Sequence, residues 1–126
     1  MAVRALTVGG TATANQRTNF LSEEVKSRAR ILAVVVSWSG AAAGDTFNVF
    51  TTRSPTPVSE PQPGDPPVLS ALSVKPVVLG GAAIAIPIQL QRLVDPPFRI
   101  ALSYNNTDST NDREVAVTLW YDDQPL

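Results

Sequence analysis

Apolar and polar side chains alternate along several stretches of this chain, and the two clearest are FRIALSY (98–104) and EVAVTLWY (114–121). A period of two places successive side chains on opposite faces of a β-strand, so that one face is buried and the other is solvated. The segment between them, NNTDSTNDR, consists of turn formers and charged residues and predicts an exposed loop. We therefore predict strands over residues 98–105 and 115–121 that pair with each other in antiparallel fashion.

Three earlier stretches are also typical of strands. AAIAIPIQLQ (82–91) alternates, and Pro87, which lacks a backbone N–H, predicts a sheet edge or a bulge. RILAVVVSW (30–38) is β-branched and apolar on both faces, which predicts a central strand covered on both sides. GAAAGD joins it to TFNVFTT (46–52), and its glycines suit a turn, so residues 30–52 are predicted to form a second hairpin.

Weaker signals over residues 3–8, 19–21 and 68–74 bring the predicted strands to eight. SEEVKSR (22–28) has a single apolar residue, Val25, and therefore favours one turn or a charged loop over a helix. The predicted core takes the apolar residues that are in phase on each strand. They are Leu32, Val34, Val36, Ile84, Ile86, Ile88, Phe98, Ile100, Leu102, Val115, Val117 and Leu119.

A proline-rich segment (53–67) holds more than half of the eleven prolines and resembles a domain linker. Neither half of the chain, however, has enough strands to close a core alone. We therefore predict a single domain over residues 1–126, with 53–67 as an ordered or semi-extended loop. Residues 1–19 are small and polar, and they predict an N-terminal arm that orders against a neighbouring subunit.

The composition removes several classes of chemistry. The chain has no Cys and no His, so disulfides, zinc–thiolate sites and His-dependent triads are excluded. The remaining possibilities for catalysis are carboxylate, Lys and Tyr chemistry. The neighbouring carboxylates Asp122–Asp123 and Glu23–Glu24, and the pair Asp112 and Glu114, lack the fixed separation across a cleft that a glycosidase requires. We therefore predict that the protein is not an enzyme and binds no cofactor.

The net charge of −1 and the scattered basic residues predict no specific nucleic-acid surface. The longest uncharged apolar stretch is interrupted by Gly80, Gly81 and Pro87, which predicts no membrane helix. MAVRALTVGG has no long apolar segment, so no signal peptide is expected. The chain is expected to be made and used inside a cell or released with a particle.

Two features could bind ligands. The loop 105–112 offers the oxygens of Asn105, Asn106, Asp108, Asn111 and Asp112 to calcium, but it lacks the glycine and bidentate Glu of an EF-hand. Exposed tryptophans can serve as stacking platforms for sugars. Trp38 is in phase with the core residues of its strand and is expected in the core or at a strand end.

Phe50 and Trp120 lie opposite the core sets of their strands. A small sandwich has no use for such surplus apolar residues inside, so they predict a partner surface. We expect a homo-oligomer of closed symmetry, a trimer, with Phe50 or Trp120 near the interface. The alternative is that a second sheet or the proline-rich loop covers these residues within one chain.

Eight antiparallel strands in two sheets predict an all-β sandwich of the jelly-roll type. The 30–52 stretch, the proline-rich loop and the closing stretches FRIALSYNN and EVAVTLWYDD resemble small viral jelly-roll proteins, including bacteriophage capsid and capsid-decoration proteins. The resemblance implies a non-enzymatic virion subunit, made in the host cytoplasm, whose partners are copies of itself and other capsid proteins. The alternative is a carbohydrate- or calcium-binding β-sandwich module.

Overall fold

The computed structural model describes residues 2–39, 44–65 and 93–124, together with the backbone of 72–74 and 82–87. The described residues form strands and contain no helix, as the alternating pattern predicts. The strands are β1 (Val3–Ala12), β2 (Gln16–Leu21), β3 (Ala29–Trp38), β4 (Thr46–Thr52), β5 (Leu72–Val74), β6 (Ala82–Pro87), β7 (Leu93–Val94), β8 (Arg99–Asn106) and β9 (Arg113–Asp122).

The strands form two antiparallel sheets. The first sheet has the order β1-β9-β3-β6, and the short strand β7 also pairs with β3. The second sheet has the order β2-β8-β4-β5. The inner faces of the two sheets share one hydrophobic cluster, and the rings of Trp38 in β3 and Phe47 in β4 lie 6.4 Å apart across it. The prediction of an all-β sandwich is confirmed.

Both predicted hairpins are wrong in their pairing. β8 lies in the second sheet and β9 in the first, and β3 and β4 are likewise in opposite sheets. In each case the two strands face each other across the core. The alternating pattern shows which face of a strand is buried, but a connection can cross between sheets without changing that pattern. Among the described strands, β4 and β5 alone are neighbours both in sequence and in a sheet.

The buried core agrees with most of the predicted residues. Val34 and Val36 of β3, Phe98, Ile100 and Leu102 at and within β8, and Val115, Val117 and Leu119 of β9 all have at most a few per cent of their surface exposed. The side chains of Ile84, Ile86 and Ile88 lie outside the described residues. The assignment of Leu32 to the core is wrong, because Leu32 is half-buried and Ile31 occupies the core position. A bulge between Ile31 and Ala33 shifts the phase of β3 there.

The predicted N-terminal arm is instead part of the sandwich. β1 pairs with β9 of its own chain without interruption from Val3 to Ala12, and β2 pairs with β8. Gly9 lies where β1 approaches β9 closely. A Cβ on Gly9 would clash with the Val115 carbonyl oxygen and lie 2.6 Å from the Ala116 Cα, so the close approach of β1 to β9 requires glycine there.

The proline-rich loop is ordered over its described part and folds back on the second sheet. The Arg53 backbone N–H donates to Asp65 Oδ1 at 2.9 Å, and the Arg53 side chain donates to the Gly64 carbonyl at 2.6 Å. Asn48 Nδ2 on the outer face of β4 donates to the Ser59 carbonyl at 3.4 Å. Phe50, next along that face, is fully buried. The loop therefore contacts the outer face of the second sheet at β4.

The bulge in β3 generates a paired prediction. Ile31→Ala should lower the free energy of unfolding by about 2–5 kcal/mol, because it opens a cavity in a fully buried site. Leu32→Ala, one residue away, should cost clearly less because Leu32 keeps solvent contact. Urea denaturation measures both. Equal losses, or a larger loss at Leu32, would contradict the shifted phase.

Candidate interaction surface

The outer face of the first sheet is open to solvent over its described part. Because Leu6, Val117 and Leu119 point into the core, their neighbours along each strand point outward. We call this surface the open face. Its residues are Val3, Ala5, Thr7, Gly9 and Thr11 of β1, Arg30, Ala33, Val35 and Ser37 of β3, and Glu114, Ala116, Thr118, Trp120 and Asp122 of β9. The charged residues among these lie at the two ends, with Glu114 at one end and Arg30 opposite Asp122 at the other.

Trp120 is the largest side chain on the open face, and 42% of its surface is exposed. Its neighbours in register are Ala5 on β1 and Ala33 on β3. Both are too small to cover an indole, so the ring is left uncovered by the strands beside it. The sequence-based expectation that Trp120 lies away from the core of its strand therefore agrees with its exposure, and the ring is available for contact.

Phe50, the other candidate interface residue, has no exposed surface. It lies on the outer face of β4, opposite Ala101 of β8, which is also fully buried. This face is therefore covered within the same chain, and the proline-rich loop contacts it at Asn48. A residue with no exposed surface offers a partner nothing to contact, so the alternative of intramolecular cover applies to Phe50.

β3 was predicted to be covered on both sides, and this is wrong in part. β3 is central in the first sheet, between β9 and β6. Its inner residues are buried, but Ala33, Val35 and Ser37 on the outer side are half-exposed. Apolar residues on both faces therefore indicate a core on one side and the open face on the other.

A shallow groove of about 390 Å³ lies at one end of the open face, lined by Ser37, Trp38, Ser39, Glu114, Val115 and Ala116. Trp38 is 3% exposed and belongs to the core, as expected, and its indole Nε1 has no hydrogen-bond partner. Ser39 Oγ already accepts from the Glu114 backbone N–H at 2.9 Å. The groove thus offers one carboxylate, which accepts from the Thr11 hydroxyl, and two serine hydroxyls.

A buried polar cluster closes one end of the sandwich. Asp45 is fully buried and accepts hydrogen bonds from Tyr104 Oη at 2.9 Å, Arg113 Nε at 3.0 Å, and the N–H and hydroxyl of Thr107 at 2.9 and 2.8 Å. Arg113 also reaches Asp108 at 3.4 Å. These contacts join the start of β4 to the end of β8 and the start of β9. The cluster therefore links the two sheets.

Hydrogen-bond donors around Asp45 stabilise its negatively charged form. Burial on its own would raise the pKa of this carboxyl, but the hydrogen bonds from Thr107, Arg113 and Tyr104 outweigh it and place the pKa below its ordinary value. Burial, together with the bond to Asp45, raises the pKa of the Tyr104 hydroxyl. A carboxylate stabilised as an anion and a tyrosine stabilised as a neutral donor form a structural ion-pair network rather than an acid–base pair.

The loop considered for calcium uses its oxygens internally. Asp108 Oδ1 accepts from the backbone N–H groups of Thr110 and Asn111, both at 3.0 Å, and these bonds lower the pKa of Asp108 to about 2. Asn106 Oδ1 accepts from the Asp108 N–H, and Asp112 Oδ1 from the Ala14 N–H. Asn105 lies within β8. The loop is therefore a hydrogen-bonded turn.

The neighbouring carboxylates do not form acid–base pairs either. Asp122 accepts from the Ala2 and Gln124 backbone N–H groups, whereas Asp123 pairs with Arg4 at 2.7 Å. Glu24 lies 3.8 Å from Arg99, and Glu23 is exposed. Asp112 and Glu114 bond to the Ala14 N–H and the Thr11 hydroxyl, respectively.

Sequence reasoning missed Asp45 and Arg113, because a single acid after a glycine and a single arginine before a strand carry no pattern that joins them.

Across the part of the chain that the structure describes, no group of three or more acidic, His or Cys residues could hold a metal ion. The same residues include no helix long and apolar enough to cross a membrane. No protein-family model matches the chain, and no curated protein sequence matches it either.

The buried cluster predicts a specific dependence of stability on pH. Because the folded pKa of Asp45 lies below the unfolded value of about 3.9, its contribution is present above about pH 4 and is lost as the pH falls through the folded pKa. Asp45→Asn leaves Arg113 without its buried anion and should cost about 3–5 kcal/mol at pH 7. The variant should also lose part of the acid-induced destabilisation of the parent.

The control for this experiment is Asp95→Asn, which removes an exposed carboxylate whose side chain is 74% accessible. It should change the free energy of unfolding by less than about 0.5 kcal/mol. Chemical denaturation between pH 2.5 and pH 7 measures all three chains. A D45N chain as stable as the parent at pH 7, or one with the same pH profile, would refute the role given to Asp45.

Proposed function

We propose that the sandwich is a jelly roll. The support is the pairing of strands around the chain: β1 with β9, β2 with β8, β3 with β6, and β4 with β5. With the two-residue strand β7 set aside, the first strand pairs with the last, the second with the next to last, and so on inward. A long antiparallel ribbon that wraps into two sheets has this order, and so do jelly rolls.

We propose further that the protein is a non-enzymatic structural subunit of a virion, of the bacteriophage capsid or capsid-decoration kind. The observation that carries this proposal is the asymmetry of the two outer faces. Phe50 on the outer face of the second sheet is fully buried within the single chain, whereas Trp120 on the outer face of the first sheet is 42% exposed. A face left open in this way has a use outside the chain.

The chemistry of the open face favours a protein partner. Charged residues are depleted in the cores of protein interfaces, and tryptophan is enriched among the residues that contribute most to binding. On the open face an uncovered indole lies among alanines and threonines, and the charged residues lie toward the two ends, Glu114 at one and Arg30 opposite Asp122 at the other. The partner we propose is another copy of this chain in a closed homo-oligomer with three-fold symmetry, which then sits on other capsid proteins.

A carbohydrate-binding module is the second candidate, and the exposure of Trp120 is the observation that favours it. An indole on a flat sheet face can stack on a sugar ring, and Thr7 and Thr118 beside it carry hydroxyls. Their hydroxyls already bond to each other at 2.9 Å, which leaves each with reduced capacity for a sugar. We therefore prefer the protein partner.

Light scattering on the purified chain at micromolar concentration tests the assembly. The parent should have the mass of at least three 13.4 kDa chains. Trp120→Asp places a charge at the centre of the interface and should shift the mass toward one chain, because a desolvated unpaired carboxylate is costly. Ser59→Asp adds the same charge on the exposed loop over the second sheet and should leave the mass unchanged.

A parent that is a monomer throughout this range would contradict self-assembly. If that monomer binds immobilised glycans and Trp120→Asp abolishes the binding, the carbohydrate module is the correct function. An oligomer that is indifferent to Trp120→Asp would show that the interface lies elsewhere.

A further inference from the structure

The strand β1 leaves one of its edges unpaired among the strands that the structure describes. It ends the first sheet on one side, with β9 as its neighbour there, and it runs for ten residues, Val3–Ala12, without a break in register. A long regular edge of this kind exposes a row of backbone donors and acceptors that another strand can pair with.

The register identifies which backbone groups lie on this free edge. The Asp123 N–H donates to the Ala2 carbonyl at 3.0 Å, so these two residues form a hydrogen-bonded pair. Hydrogen-bonded and non-hydrogen-bonded pairs alternate along an antiparallel ladder, so the even-numbered residues of β1 bond to β9. The odd-numbered residues direct their N–H and C=O groups outward. They are Val3, Ala5, Thr7, Gly9 and Thr11, and all of them are exposed.

Devices that prevent edge pairing in other proteins are absent from β1. It contains no proline, no lysine and no bulge, and its single charged residue, Arg4, is paired with Asp123 at 2.7 Å. The opposite end of the first sheet differs, since its edge strand β6 carries Pro87. Both edge strands of the second sheet are shorter: β2 has six residues and contains Arg17, and β5 has three. The free edge of β1 is therefore the one best suited to pairing.

We propose that β1 pairs in antiparallel fashion with β1 of a second copy across a two-fold axis, so that the first sheets of two chains become one continuous sheet. The occupant follows from the self-complementarity of the edge. A two-fold axis perpendicular to the sheet sets odd-numbered residues opposite odd-numbered residues. With Thr7 at the axis, Ala5 faces Gly9 and Val3 faces Thr11, so no like charges meet and no bulky pair collides.

The inference rests on the proposed self-assembly and deepens it, because it uses the edge of β1 whereas the three-fold contact uses Trp120. A two-fold contact and a three-fold contact on one subunit are together sufficient to build an extended or closed array. A disordered or foreign strand could also add to an exposed edge. A second copy is favoured as the partner because the odd-numbered residues of its β1 can pair with the odd-numbered residues of this β1, and no like charges then face each other.

The sharpest test is Thr7→Pro, compared with Thr7→Val. The proline removes an N–H that points to the free edge and not one that bonds to β9, so the sandwich should keep its circular dichroism spectrum and cooperative unfolding. At the axis it removes one donor from each copy, which should weaken two-fold association about ten-fold or more. Thr7→Val keeps the N–H and removes the bond to the Thr118 hydroxyl, and should associate like the parent.

Sedimentation velocity over a concentration series measures association, and hydrogen–deuterium exchange of the parent supplies a readout that does not depend on any variant folding. At high concentration the amides of Ala5, Thr7 and Gly9 should exchange at least about ten-fold more slowly than at low concentration. If these amides exchange at the same rate at both concentrations, or if Thr7→Pro associates like the parent, the edge pairing is wrong. If Trp120→Asp still reduces the mass in that case, the proposed self-assembly stands without the β1 edge pairing. A parent that is monomeric at every concentration refutes both the self-assembly and the edge pairing.

Discussion

The strand β9 holds the first sheet together, because it hydrogen-bonds to β1 on one side and to β3 on the other. Its inner residues Val115, Val117 and Leu119 supply the middle of the core, and Arg113 at its start reaches across to Asp45 of the second sheet. The strands that it joins are distant in sequence, since Val3 pairs with Asp122. Without β9 the first sheet would divide in two, so the sandwich depends on pairing between residues that are far apart in the sequence.

The sequence predicted the faces of the strands well and their partners poorly. The period of two located the buried sides of β8 and β9, because side-chain direction is a local property of a strand. It assigned β9 to β8 instead of β1, because pairing depends on connections that cross between the sheets. The alternating pattern also did not predict the bulge beside Ile31 or the close contact at Gly9, because both features depend on a neighbouring strand.

The same distinction applies to the candidate site. Trp120 and Phe50 have equivalent positions in the pattern, opposite the core sets of their strands, but one is exposed and the other is covered. Phe50 is covered within its own chain, and the proline-rich loop contacts the same outer face at Asn48, a contact that no periodicity predicts. The outer face of the second sheet is therefore covered at Phe50, whereas the open face of the first sheet is exposed at Trp120. The buried Asp45 cluster, by contrast, links the two sheets, and the open face is the surface that we propose for interaction.

The central claim is that the indole of Trp120 is free on one chain and shielded in the assembly. Acrylamide quenching of tryptophan fluorescence tests it directly, because the other tryptophan, Trp38, is 3% exposed and contributes little to quenching. The account predicts strong quenching in dilute solution that declines as the concentration, and with it the mass, increases. Quenching that stays constant while the mass rises, or a Trp120 that is already shielded in the monomer, would contradict it.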